Sequence, residues 1–157
     1  MVDGARAVAR PLRHAIARSR RRRGDVWIAS TALVGAMLAL PLAQSSWHGP
    51  EVAAVLAVSA TAMLAGQRWA IALIAIAELL LAPTLAAHAF TGGLALWPGR
   101  ICAIVSLGLL VPGLLAHRRA AAALVLVTGW QRTSRTCRHF QIALVATGVL
   151  AALVPIL

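Results

Sequence analysis

The sequence predicts an all-α integral membrane protein with about five transmembrane helices and one short interfacial or re-entrant helix. Three observations carry that prediction. Of 157 residues, 61% are hydrophobic and only 12% charged, far outside the balance of a soluble domain. The apolar residues gather in runs that approach the length needed for a hydrocarbon core of ~30 Å. The cations, all of them Arg, fall beside alternate ends of those runs. The formal charge of +11 therefore flanks apolar segments and does not cover a soluble surface. That pattern points to anionic lipid headgroups and topology control, and away from nucleic acid.

Residues 1–25 form an Arg-rich arm ending in "RSRRRRGD", and residues 26–157 form the bundle. Within the arm Val8, Leu12 and Ile16 recur every four residues, which suggests a short basic helix on the membrane surface, started or interrupted by Pro11. A solvated, disordered tail is the other reading. Arg20, Arg21, Arg22 and Arg23 are assigned to membrane-surface or lipid contacts, together with Arg118 and Arg119. The run that follows, 26–43, is longer than a signal-peptide core, and "PLAQSS" makes a poor cleavage site, so it reads as a retained first span.

The remaining candidate spans are 52–66, 69–90, 101–116 and 140–157. The segments 52–66 and 101–116 are short at ~1.5 Å per residue and must recruit flanking residues. Pro50 can open the first of these, and Trp97 and Pro98 precede the second. "QSSWHGPE" and "TGGLALWPGR" are turn-rich connections, while Gln67 and Arg68 leave so little chain that 52–66 and 69–90 must be antiparallel neighbours. The stretch 120–130, "AAAALVLVTGW", would rise only ~16 Å as a helix. It is expected to stay at the cytoplasmic interface, with a tilted sixth span as the alternative. No internal repeat is evident.

Two signals orient the chain. With the N-terminus cytoplasmic, fourteen of the fifteen Arg lie inside and only Arg100 lies outside. Trp27, Trp47, Trp69, Trp97 and Trp130 all sit at segment ends and alternate between the two interfaces, as anchoring belt residues do. The expected location is a bacterial inner membrane, multi-pass, with the C-terminus periplasmic or extracellular.

One carboxylate breaks the apolar pattern. Glu78 lies nine residues past Trp69, ~13 Å along a helix and so near mid-membrane depth. A carboxyl there must be neutral, paired or facing water, because an isolated charge costs several kcal/mol. Ala75, Ala82 and Leu85 share its side of the helix, so it is expected to face another helix. Pro83 cannot donate to the carbonyl of Leu79, which leaves an acceptor one residue from Glu78. Glu78, Leu79 and Pro83 are thus the candidates for an ion or proton path. The alternative is interhelical glue, with Glu78 hydrogen-bonded to Ser59, Thr61, Ser106 or a partner subunit.

The run from Arg68 to Glu78, followed by a further segment ending in "HRR", resembles the small K-type subunit of the complex I and hydrogenase family over roughly residues 60–119. That resemblance implies a role for the helix glutamate in proton transfer. The family carries a second carboxylate on the next helix, whereas "ICAIVSLGLLVPGLLA" has none.

Other chemistry is sparse. His48, His88, His117 and His139 sit at segment ends and loops, and no zinc spacing, phosphate loop or nucleophile elbow is present. Cys102 and Cys137 have no metal-ligand grouping and are expected on opposite sides of the bilayer. The chain is therefore expected to be non-enzymatic, with no cofactor and no metal. Its expected role is a subunit or assembly factor of a larger membrane complex, in contact with anionic lipids and with other membrane subunits or further copies of itself. The alternative is a small proton- or cation-conducting protein that uses Glu78.

Overall fold

A computed structural model describes residues 2–44, 48–90, 97–129 and 133–153, and only the backbone of residues 2–20, 43 and 151–153. Its six helices are α1 (Val2–Ala43), α2 (Gly49–Leu64), α3 (Ala70–Phe90), α4 (Trp97–Leu115), α5 (His117–Val127) and α6 (Ser134–Leu153). No strand occurs among the described residues.

The all-helical class stands, but the expected count of five spans does not. Three helical stretches among the described residues are long and apolar enough to cross a membrane: Arg21–Leu42, Ala70–Phe90 and Trp97–Leu115. The second expected span is a 16-residue helix, which rises ~24 Å and falls short of the hydrocarbon thickness. The last one begins earlier than expected, at Ser134, so its first turns carry Arg135 and Arg138. The stretch expected at the interface starts at His117 and is an 11-residue helix, too short to cross.

Local chemistry explains the boundaries. Pro50 stands in the first turn of α2, where its missing N–H costs nothing, and Glu51 complements the helix dipole there. At the other end Gly66 adopts φ +94°, and the N–H groups of Gly66 and Gln67 donate back to the carbonyls of Met63 and Ala62. This glycine-dependent cap reverses the chain within a few residues and makes α2 and α3 the antiparallel neighbours expected from the tight connection. Thr133 caps α6, its Oγ1 accepting from the Thr136 N–H at 3.2 Å. Arg100, on the first turn of α4, donates through Nε to the Ala89 carbonyl and so serves the C-terminal end of α3.

Helix α1 departs most from expectation. It runs without a break through Pro11 and Gly24, so arm and first span form one 42-residue helix. At ~1.5 Å per residue this helix is ~63 Å long, and its stretch Arg21–Leu42 is apolar enough to cross a membrane.

Helix α3 is the centre of the bundle and touches each of the other five helices. One side packs Ile71, Ile74, Leu81 and Leu85 with Ala29, Ala32, Ala36 and Ala39 of α1, Leu56 and Ala60 of α2, and Leu110 of α4. The other side brings Ala75, Ile76 and Leu79 against Ala120, Ala121 and Leu124 of α5 and Phe140 and Leu144 of α6. Between helices in lipid there is little hydrophobic driving force, so small residues that allow close backbone approach matter most. Gly35 fits this: a Cβ built there would meet Leu110 Cδ2 at 3.1 Å. So does Gly148, where a Cβ would meet Leu79 Cδ2 at 2.8 Å.

Candidate functional site

Glu78 is fully buried, midway along α3. The helix forms because its sequence is almost wholly apolar and Ala-rich, and Pro83 is absorbed without ending it. The carboxyl lies against the backbone of Gly113 on α4: a Cβ at that glycine would occupy the space of Oε1, Oε2 and Cδ. Only a residue without a side chain admits the acid there. Neither carboxyl oxygen has a hydrogen-bond partner among the described residues.

The candidate partners for Glu78 do not engage it. Thr61 Oγ1 donates to the Val58 carbonyl of its own helix at 2.8 Å and is exposed. Ser59 is buried on α2 without bonding the acid. Ser106 is fully buried on α4, and its hydroxyl also lacks a partner. It lies seven residues before Gly113, ~10 Å along the helix, too far to reach Glu78 directly.

The other path candidates diverge from it. Leu79 turns toward α6 and packs on Gly148, while Glu78 turns toward α4. Pro83 is half-buried within α3, and the Leu79 carbonyl lacks the donor that a non-proline residue would supply. Glu78 and that carbonyl are therefore close in sequence, but the two side chains serve different interfaces.

At the polar end of the bundle the cations separate into groups. Arg21, Arg22 and Arg23 are exposed on α1, and of Arg20 only the backbone is described. Arg118 and Arg119 open α5, and Arg119 Nη1 pairs with Asp25 Oδ1 of α1 at 3.1 Å. No local sequence pattern points to this pair, whose partners are 94 residues apart. Trp69 and Trp97 are exposed at helix ends and Trp27 is exposed within α1, near the start of its apolar stretch, while Trp47 and Trp130 lie outside the described residues. His88 meets the Thr84 carbonyl one turn earlier in α3, and His117, opening α5, meets the Leu114 carbonyl at the end of α4. Cys102 and Cys137 are free thiols, both half-buried. Among the described residues no three His, Cys, Asp or Glu side chains group as metal ligands would.

Comparison with protein families, with characterised proteins and with solved structures finds no match to this chain.

Proposed function

We propose that this chain is a non-enzymatic multi-span protein of a bacterial inner membrane, acting as a subunit or assembly factor of a larger membrane complex. The observation that carries the reading is the setting of Glu78: a buried acid fitted to a glycine, with no hydrogen-bond partner among the described residues. Such a group shapes a helix contact and supplies no machinery for turnover. The basic half of α1, continuing as helix beyond the span, supports a role in contacting something outside the bilayer. In the topology we infer, the N-terminus is cytoplasmic, and the polar end of the α1 span lies at the inner face together with Arg118 and Arg119 of α5, the latter paired with Asp25 of α1. The Arg distribution supports that arrangement. Purification in mild detergent tests the proposal: a second membrane protein should elute with the chain at fixed stoichiometry. A homogeneous preparation of this chain alone, from native membranes at native abundance, would contradict it.

A second reading has its own support. Among the described residues, three buried side-chain polar atoms lack hydrogen-bond partners: both oxygens of Glu78 and Ser106 Oγ. Unsatisfied polar atoms at such depth are what a proton or small-cation path would use. Flux from the purified protein would favour that reading over the first.

A further inference from the structure

At the polar end of the α1 span, Arg22, Arg23, Val26, Trp27 and Ser30 share one face of the helix around a shallow, open cleft. The charge is uncompensated: the one salt bridge among the described residues commits Asp25 to Arg119, and Arg22 and Arg23 take no part in it. Trp27 is 64% exposed and stands beside them with an indole N–H suited to an interfacial carbonyl.

Below the cleft the same side of α1 is apolar and uncovered. From Val26, steps of four, four and three residues lead through Ser30 to Val34 and Met37, and Val26, Val34 and Met37 are all exposed. A pair of guanidinium groups at one end of an exposed apolar stripe matches a molecule with an anionic head and a hydrocarbon tail. A free phosphate would use only the upper half, and an acidic protein would leave the lower half uncovered.

We propose that Arg22, Arg23, Val26, Trp27 and Ser30 form a binding site for one anionic glycerophospholipid. Its phosphate lies on the two guanidinium groups and an acyl chain runs along Val34 and Met37. The planar guanidinium forks give directional hydrogen bonds to phosphate oxygens, and Ser30 offers a hydroxyl below them.

The test is native mass spectrometry of the purified full-length chain in neutral detergent, with phosphatidylglycerol and phosphatidylcholine of matched chains in competition. Wild type should prefer the first phosphatidylglycerol by about tenfold or more, given ~1 kcal/mol for each basic residue near an anionic headgroup. R22Q/R23Q should bring the preference close to one while helicity and elution stay unchanged. R135Q/R138Q removes equal charge from α6 and should leave the preference intact. Should R22Q/R23Q fail to fold, R22K/R23K serves instead and should reduce the preference several-fold by losing the forks. A preference unchanged in R22Q/R23Q or R22K/R23K would overturn the site. So would displacement of the lipid by glycerol phosphate or by an acidic peptide at the lipid's own concentration.

Discussion

Asp25, at the polar end of the α1 span, is 29% exposed and holds Arg119 at 3.1 Å, whereas Glu78, in the contact of α3 with α4, is fully buried and has no hydrogen-bond partner among the described residues. The first acid joins α1 to α5 by charge, within reach of water and salt. The second joins α3 to α4 by shape, filling the space that Gly113 leaves. Exposed ion pairs contribute little, because solvent already serves both partners. A buried group without partners contributes through fit, and its polarity is a cost. The two carboxyls should therefore answer to opposite kinds of change.

The largest effect is expected at Gly113. Gly113→Val places a branched side chain where the Glu78 carboxyl lies, and should lower stability by about 3 kcal/mol, at the upper end for an overpacked core. Reversible unfolding in mixed micelles measures this. Combining Glu78→Ala with Gly113→Ala should recover part of the loss caused by Gly113→Ala alone, a coupling that distant sites do not show. Strictly additive losses would break the account of a steric fit.

A smaller effect of the opposite sign is expected from Glu78→Met. Replacing an unpaired buried polar group by an apolar one of similar length should raise stability by about 1 kcal/mol. A loss of that size or more would show that the carboxyl has a hydrogen-bond partner and acts as glue.

The smallest effect belongs to the surface pair. Asp25→Asn should cost no more than about 0.5 kcal/mol, since Arg119 is 45% exposed and Asp25 29% exposed. The difference from wild type should shrink further in high salt, because screening acts on exposed charges. A salt-independent loss would mean that Asp25 is held more tightly than its exposure indicates.

These contrasts also mark what was legible in the sequence. The all-helical class and the isolation of Glu78 followed from composition and apolar run length, which need no tertiary information. The tight reversal between α2 and α3 was legible too, since Gln67 and Arg68 leave few ways to turn, but the part Gly66 plays in it was not. The continuity of α1 was hidden, because Pro11 read as a start or interruption of a short helix and a long helix can absorb it. Gly113 belonged to a visible patch of small residues with Ser106 and Gly108, but which side chain fills such a patch depends on the register of two helices. The same gap explains why Ser106 was a plausible partner for Glu78 and yet does not reach it. The Asp25 to Arg119 pair joins distant parts of the chain and carries no local sequence signal.

The most direct test of the central claim is proton flux into liposomes that hold purified wild type or Glu78→Gln under an imposed pH gradient. The amide keeps the shape of the carboxyl and cannot exchange the proton. If Glu78 is a fitted element of the α3–α4 contact, both proteins fold alike and neither carries protons above empty liposomes. A leak from wild type that Glu78→Gln abolishes would contradict that account and make Glu78 the centre of a conduction path.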